Sequence, residues 1–408
     1  MHVRSLSILS FVCVSVFASH SAADNWPQWR GEKLDGISHE MQLPTKWSKT
    51  ENVAWRLPLP GPAGSTPAIW GERLFLTSVD GADLVLMCVG TDGKQQWRQT
   101  VSTGNRDVRG TEGNSAAPSP STDGKQVWTL NLQERYGKFD IAFGLTSTPV
   151  LDRGKLYVQL IHGEGDPATN EAVVACLDAA TGNGVWKQAR PSDGRKECEH
   201  SYASPVIYRD DQQAFLITHG ADYVVAHDLQ DGRELWRCGE MNPKARYNPT
   251  LRFVASPVAV PGMIVVPSAK NGPVLCLRPN IEGDVSQQES AFYWQRPRDT
   301  PDVPSPLVHD GLVYLCREKG ILICLDAKTG KEHYSQTLSR GDYRASPVYA
   351  DGKILATNRN GKVSVVKAGV KFELLAENDM QESLAASPAI SGGRIYLRTF
   401  DALYAIGK

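Results

Sequence analysis

The sequence shows no excess of charge of either sign, because its 408 residues include 44 basic and 45 acidic side chains. Proteins that bind nucleic acid through phosphate contacts carry a clustered basic surplus, so no nucleic-acid partner is predicted. The apolar share of 41% is ordinary for a globular chain. Composition therefore predicts a nearly neutral globular protein.

Long hydrophobic runs are missing beyond the N-terminus. One short apolar run, Leu6 to Ala18, follows the positive charge of Arg4 and precedes a few small residues. That order is typical of a cleavable export signal, and the run is shorter than the roughly 20 residues that span a bilayer. We predict a signal peptide at residues 1–23, no stable membrane insertion, and a periplasmic or extracellular mature chain of residues 24–408.

Several chemical motifs are also missing. The sequence contains no nucleophile elbow, phosphate loop or zinc-protease phrase, and none of its eight cysteines is adjacent to another. Cys198, Glu199 and His200 are the one close grouping of metal-ligating residues, and neighbours on an extended chain point to opposite sides. We predict no catalytic residue and no metal site. Whether Cys198 pairs with Cys238 stays open.

Helical periodicity is nearly absent, and a repeated phrase takes its place. A small residue, a proline, an apolar residue, a turn and a second apolar run recur eight times. The prolines of these copies are Pro67, Pro120, Pro149, Pro205, Pro257, Pro306, Pro347 and Pro388. Most are about 41 to 56 residues apart, a period typical of the four-stranded blades of a β-propeller. The predicted fold is all-β, with one propeller domain at 24–408.

A second phrase, "ACLDAATGNGVW" in its clearest copy, follows the first. The aspartate is suited to accept backbone N–H groups of a tight turn, the glycine to supply a positive φ, and the hairpin then delivers a tryptophan on the outer strand. We predict a structural docking role for these residues, with each ring packed between two blades. They are Trp97, Asp178, Gly182, Trp186, Trp236, Trp294, Asp326 and Gly330.

The two chain ends predict ring closure. After Pro388 the last repeat lacks an outer strand, whereas "NVAWRLPLPG", 52–61, is an outer-strand phrase with no blade before it. The N-terminal strand should complete the last blade and leave no open sheet edge. The unit between Pro120 and Pro149 is too short for a full blade. We favour eight blade positions with a truncated second blade, and the alternative is a ring of seven.

The repeated Asp-x-x-Thr-Gly-x-x-x-Trp phrase resembles the tryptophan docking motif of propellers of the pyrroloquinoline quinone (PQQ) type. The resemblance covers Trp26 to Lys408. It implies two functional classes: quinoprotein alcohol dehydrogenases, which hold PQQ and Ca²⁺ at the ring centre, and non-catalytic, BamB-like relatives of the outer-membrane assembly lipoproteins. The dehydrogenases hold their quinone against a disulfide of adjacent cysteines, which this sequence lacks. We therefore predict no cofactor, with PQQ and Ca²⁺ as the alternative.

In such a ring, the loops before the first strand of each blade and the loops after its second strand lie on one face. Basic residues collect in these loops. They are Arg252, Lys270, Arg317, Lys319, Arg344 and Arg359, with His200 and Tyr202 nearby. One interpretation is a basic funnel, opposite an acidic face, that attracts a small anion, an acidic peptide or an anionic glycan. The other is a set of solvated surface charges whose partners the sequence does not reveal.

Three functions follow from these patterns. The first is a secreted or periplasmic, non-enzymatic and monomeric propeller that binds a protein partner or a small anionic ligand. The second is a PQQ-dependent oxidoreductase. The third is a carbohydrate-binding propeller. The sequence predicts the first, and it does not identify the ligand.

Overall fold

The computed structural model describes residues 24–104, 116, 118–124, 128, 130–139, 141, 144–164, 166–169 and 171–407. The predicted signal peptide lies outside these residues. Within them the chain is an all-β, seven-bladed propeller, and each blade is built on a four-stranded antiparallel sheet. This confirms the predicted fold.

The first three complete sheets follow one another along the chain. Blade 1 contains β2 (Ala68–Trp70), β3 (Arg73–Asp80), β4 (Asp83–Gly90) and β5 (Gln95–Ser102). Blade 2 contains β6 (Val150–Asp152), β7 (Lys155–Leu160), β8 (Val173–Asp178) and β9 (Gly184–Ala189). Blade 3 contains β10 (Val206–Arg209), β11 (Ala214–Gly220), β12 (Tyr223–Asp228) and β13 (Glu234–Cys238).

The fourth sheet carries an insertion. Blade 4 contains β14 (Val258–Val260), β15 (Met263–Pro267), β16 (Val274–Leu277) and β18 (Phe292–Arg296). Between β16 and β18 the chain forms β17 (Gly283–Asp284), which leaves blade 4 and pairs in parallel with β13 of blade 3. Blade 3 therefore gains a fifth strand from its neighbour.

The remaining blades complete the ring. Blade 5 contains β19 (Leu307–His309), β20 (Leu312–Cys316), β21 (Ile321–Asp326) and β22 (Glu332–Thr337). Blade 6 contains β23 (Val348–Ala350), β24 (Lys353–Thr357), β25 (Lys362–Lys367) and β26 (Leu374–Asp379). Blade 7 contains β27 (Ala389–Ser391), β28 (Arg394–Arg398), β29 (Ala402–Ile406) and, as its outer strand, β1 (Val53–Pro58).

In the described part of the chain, helical structure is confined to short segments in the connections. The one α-helix among these residues is α1 (Leu132–Tyr136), between blades 1 and 2. The 3₁₀ turns are Pro167–Thr169, Lys196–Glu199, Lys244–Arg246 and Glu289–Ala291.

The N-terminal strand closes the ring as predicted. β1 runs antiparallel to β29, with Trp55 opposite Ala405 and Arg56 opposite Tyr404. Arg398 adds a second link at this junction, because its fully buried guanidinium donates to the Ser65 hydroxyl and the Thr77 carbonyl of the next unit. Blades 7 and 1 are therefore joined by backbone pairing and by a buried side chain.

A ring of hydrogen bonds surrounds the propeller axis. In seven of the eight units, the serine or threonine before the repeat proline donates its backbone N–H to the side-chain oxygen of the equivalent residue in the next unit, at 2.8 to 3.2 Å. The Thr66 hydroxyl reaches the Ser387 carbonyl at 3.3 Å and closes the circle. The eight members are Thr66, Ser119, Thr148, Ser204, Ser256, Ser305, Ser346 and Ser387.

The short second repeat contributes a residue to the axial ring of hydrogen bonds but no described sheet. The seven complete sheets match the seven-blade alternative, and the described residues between β5 and β6 contain no strand. Ser119 nevertheless occupies its place in the axial ring. Trp128 from the same unit donates its Nε1–H to the Ala179 carbonyl at 2.8 Å, as an outer-strand tryptophan does. The repeat therefore keeps its two anchoring residues without a described sheet.

The segment 24–48, which we call the N-terminal strap, covers the underside of the ring. Trp26 pairs with Ile69 of blade 1, and Ser38 donates to the Tyr349 carbonyl of blade 6 at 2.9 Å. Between them Arg30 is 1% exposed and donates to the Pro306 carbonyl of blade 5 at 2.7 Å. The strap thus spans the axis and fills it from one side.

Candidate functional site

The two faces of the propeller are distinguished by their loops, as blade 5 shows. The turns 310–311 and 327–331 lie together, because Ala327 donates its N–H to the Gly311 carbonyl at 2.8 Å. We call that side the underside. The turn 317–320 and the loop 297–306 lie at the opposite strand ends, on the upper face. The predicted ligand residues belong to upper-face turns and loops.

Two of the predicted ligand residues are buried beneath that face. His200 is 7% exposed, and its Nε2 lies 3.0 Å from the Gly163 carbonyl. Tyr202 is 6% exposed, and its backbone N–H donates to the Phe253 carbonyl at 3.0 Å. Both side chains lie at the junction of blades 2 to 4. The structure therefore places them in the packing between blades.

The arginines of this face have carboxylate neighbours. Arg252 donates to Glu197 at 2.8 Å, and Arg317 donates to Asp299 at 2.9 Å. Asp299 also accepts from Arg296 at 2.6 Å, so one carboxylate joins two guanidinium groups. These charge-assisted hydrogen bonds restrict long side chains that would otherwise sample many rotamers.

The other predicted bases form a second group on the same face. Asp302 lies 3.8 Å from both Lys270 and Arg344, and Lys270 is also 3.5 Å from Glu318. The Arg359 guanidinium lies 5.7 Å from the centre of the Phe400 ring. A pair of opposite charges in contact has a much weaker distant field than either charge alone. These contacts therefore offset the positive potential predicted for the funnel.

The interpretation of this face as a basic funnel considered its basic residues and left out the acidic residues beside them. Asp299, Asp302 and Glu318 come from "RDTPDVP" and "CREKG", phrases that belong to the same upper-face connections. The loops of the upper face approach one another only when the ring closes. Which base pairs with which acid therefore cannot be predicted without the fold. The acids themselves were visible in the sequence.

The docking phrases occupy the junctions between blades. Trp186 donates its Nε1–H to the Leu229 carbonyl at 3.1 Å, and Trp294 donates to the Ala327 carbonyl at 2.8 Å. The Nε1 of Trp236 has no acceptor among the described residues, and its ring meets Phe215 edge-on. Trp97 is partly exposed and contacts Phe75. The equivalent docking bond onto blade 1 comes from Trp55, whose Nε1–H reaches the Thr91 carbonyl at 2.8 Å.

The hairpins that receive these rings are held by side-chain bonds of their own aspartate. The Asp326 carboxylate accepts the backbone N–H of Lys328 and both the N–H and the hydroxyl of Thr329. Asp178 bonds its own turn in the same way. The pKa of both carboxyls is held below its usual range, mainly by the bond from the Thr329 side chain at Asp326 and by the bond from the Lys155 side chain at Asp178, with the turn bonds adding to the effect.

The glycines of these hairpins satisfy two requirements at once. Gly182 and Gly330 have φ of +71° and +70°. A Cβ on Gly182 would meet the Trp128 ring at 2.8 Å, and one on Gly330 would meet the Trp294 ring at 2.7 Å. The missing side chain therefore permits both the turn and the close approach of the neighbouring blade's tryptophan.

A pocket that the sequence reading missed lies on the outer rim of the upper face. Its volume is about 260 Å³, and its walls come from the loops after β9 and β13, the β11–β12 turn and the segment after β17. None of the eight predicted ligand residues lines it. The available signal was the long connection between β16 and β18, residues 278–291, where the equivalent connection of blade 5 is 327–331.

The described residues do not fit the PQQ and Ca²⁺ site that the resemblance implied. All seven described cysteines are free and buried at separate positions, and Cys198 and Cys238 are not joined. The described residues include no group of three side chains placed to bind a metal ion. At the axis, the ring of serine and threonine bonds and the N-terminal strap bring blade backbones together. We therefore derive no redox step for this chain.

The part of the chain that the structure describes contains no helix with the length and apolar character needed to cross a membrane.

Solved structures of the same fold include quinoprotein dehydrogenases. A quinohemoprotein alcohol dehydrogenase from Comamonas testosteroni is similar with a TM-score of 0.65 and 13% identity, over 94% of this chain and 81% of that chain. Another, from Pseudomonas putida HK5, has a TM-score of 0.58 and 12% identity, over 93% and 80%. At these identities the likeness shows the fold alone.

Sequence comparison gives one curated relative and one family. A polyvinylalcohol dehydrogenase from Pseudomonas sp is 25% identical over 197 residues, which are 41% of this chain and only 29% of that protein. The model of the PQQ_2 family, described as outer membrane protein assembly factor BamB, matches residues 112–291 and 271–401. Because these matches cover well over half of the propeller, the chain belongs to this BamB-like family of PQQ-type repeat proteins.

Proposed function

We propose that the chain is an exported, non-enzymatic propeller that binds a protein partner on its upper face. The observation that carries the proposal is the difference between the two faces. The N-terminal strap fills the underside at the axis, with Arg30 buried between the strap and blade 5. The upper face has no such cover among the described residues, and its charged side chains lie in ion pairs.

A surface of paired charges suits a protein partner better than a small anion. The carboxylates beside Arg252, Arg317 and Arg344 offset the field that would concentrate anions. The same contacts hold the side chains in defined positions, which lowers the entropy that is lost when a complementary surface docks. A partner with its own pattern of both signs would match this face and gain specificity from it.

The family supports this choice, since its description names a factor in outer-membrane protein assembly. The export-signal pattern at residues 1–23 supports a location outside the cytoplasm. For the oxidoreductase alternative, the dehydrogenase relative matches less than a third of its own length here, and the described residues include no group of three side chains placed to bind a metal ion such as Ca²⁺.

Site-specific photo-crosslinking in the native cells tests the proposal. A photoreactive residue replaces Lys319 on the upper face or Lys328 on the underside, so the two probes lie just beyond opposite ends of the same strand, β21. We expect Lys319 to yield a defined protein adduct and Lys328 to yield none. Equal labelling from both positions, or a defined adduct from Lys328 alone, would contradict the proposal.

A further inference from the structure

The first three residues that the structure describes are each bonded to another part of the molecule. Asp24 donates its backbone N–H to the Glu40 carboxylate at 3.1 Å, and the Asn25 side-chain oxygen accepts a backbone N–H of the turn between β2 and β3 at 2.8 Å. Trp26 exchanges two backbone hydrogen bonds with Ile69 of β2, at 2.9 and 2.7 Å. The start of the N-terminal strap is therefore held against blade 1.

Glu40 connects the same point to blade 7. Its Oε1 accepts the N–H of Gly392 at 2.7 Å as well as that of Asp24, and its Oε2 accepts the N–H of Gly393 at 2.9 Å. Gly392 and Gly393 form the turn between β27 and β28. Among the described residues, no lysine, arginine or histidine lies within ion-pair distance of this carboxylate. Glu40 is therefore oriented by three backbone donors and has no cationic partner in this part of the chain.

The export-signal pattern predicts a positive charge at this point. Ser21 and Ala23 occupy the two positions where cleavage before Asp24 needs small residues. Hydrolysis of the bond between Ala23 and Asp24 consumes one water, leaves a carboxylate on the released peptide and turns the Asp24 amide nitrogen into an amino group. An ordinary α-amino group has a pKa of about 7.7–8.0, so at neutral pH most of these groups are ammonium ions with three N–H donors.

We propose that Glu40 binds the α-ammonium group that this cleavage creates on Asp24, so that removal of the signal peptide fastens the start of the N-terminal strap to blade 7. The nitrogen already lies at hydrogen-bonding distance from Oε1, and its new charge converts a neutral bond into a charge-assisted ion pair. Because Trp26 is bonded to blade 1, the pair joins the two blades that meet where the ring closes. The inference rests on the export named in the proposed function and does not depend on binding at the upper face.

The expected effect is local. Asp24 is exposed, so solvent screens the pair, and exposed ion pairs contribute little to the stability of a whole domain. The residues beside the pair should nevertheless open less often when the ammonium is in place. Their backbone N–H groups are the appropriate probes, because exchange with solvent reports such local opening.

Amide exchange measured by NMR at pH 6.5, where an ordinary α-amino group is mostly charged, tests the pair. One mature chain begins at Asp24, and a second carries Ser-Gly before it, which keeps the Asp24 N–H and moves the ammonium by up to about 7 Å. Both are prepared with Glu40 and with Glu40→Gln, which retains the size of the side chain and one acceptor oxygen. Moving the ammonium should accelerate exchange at Trp26 and Gly393 about threefold with Glu40 and leave it unchanged with Glu40→Gln.

Glu32→Gln is the matched control, because it removes an exposed carboxylate from the same strap and should preserve the threefold difference. The intact mass of the chain purified from exporting cells should equal that of residues 24–408. Equal exchange in the two chains with Glu40, a difference that persists in Glu40→Gln, or an exported chain that begins at another residue would overturn the proposal. Failure of the proposed function is a separate outcome, since crosslinking from Lys319 and Lys328 reports on partner binding and not on the chain start.

Discussion

At the scale of single residues, the positive φ and the missing side chain of the docking glycine have separable effects. Gly330 and Gly311 both have φ near +70°, but a Cβ on Gly311 would meet nothing within 4 Å, whereas one on Gly330 would meet the Trp294 ring. Gly311→Ala should therefore lower the free energy of unfolding by about 1–2 kcal/mol from backbone strain alone. Gly330→Ala should lose about 1–3 kcal/mol more, because the ring must move.

Urea denaturation of the two variants measures this difference. Trp294 fluorescence should also shift in Gly330→Ala and stay unchanged in Gly311→Ala. Equal losses of stability in both variants would show that the ring does not depend on the glycine.

Two buried histidines predict acid sensitivity. Burial lowers the pKa of His219 to about 3 and that of His227 to about 4, with Arg190 adding to the effect at both. In the unfolded chain each would titrate near 6.5. Below that pH the unfolded state binds protons that the folded state refuses, so this stability is complete above pH 6.5 and is lost as the pH falls toward 4. Each histidine contributes about 1.4 kcal/mol per pH unit within the window.

His219→Gln isolates one of these contributions. Between pH 6.5 and 5.0 the wild-type chain should lose about 2 kcal/mol more stability than this variant, as measured by urea denaturation at each pH. His333→Gln, at an exposed position on β22, is the matched control and should keep the wild-type slope. A pH slope that His219→Gln leaves unchanged would refute the assignment.

At the scale of elements, the N-terminal strap should be separable from the blades. Arg30 donates to the carbonyls of Leu34, Asp35 and Pro306, and its burial lowers the pKa of the guanidinium to about 10. Hydrogen bonds from a charged group contribute about 1.5–3 kcal/mol each in favourable cases. Arg30→Met should therefore increase amide exchange in the strap by more than tenfold while exchange in β20 and β21 stays unchanged.

Lys33→Met is the control, because Lys33 is exposed on the same strap. Exchange that is unchanged in the Arg30 variant would mean that apolar contacts of residues such as Trp26 and Leu43 hold the strap without Arg30.

An element was easier to predict when the residues that contact one another in it lie close together in the sequence. The hairpin of Asp326, Gly330 and its neighbours is encoded within a few residues, so turn chemistry predicts it. The blades repeat, so the period predicts their number to within one. The strap does not repeat, and its bond from Arg30 to Pro306 spans 276 positions. Nothing local in the sequence indicates such a contact.

At the scale of the whole molecule, the fold was predictable and the proposed binding surface only in part. The closure of β1 on β29 follows from counting outer strands at the two chain ends. The upper-face location of Arg252 and Arg344 follows from the same strand order. Their carboxylate neighbours and the rim pocket do not, because both depend on which loops of adjacent blades meet.

The central claim is that this PQQ-type propeller binds a partner and carries no redox cofactor, and reconstitution tests it most directly. The purified mature chain is dialysed with PQQ and Ca²⁺, and bound cofactor is measured by absorbance together with dye reduction on alcohols. A quinohemoprotein alcohol dehydrogenase serves as the positive control. The account predicts no retained PQQ and no reduction above the protein-free rate. Retention of one PQQ per chain with alcohol-dependent dye reduction would contradict it.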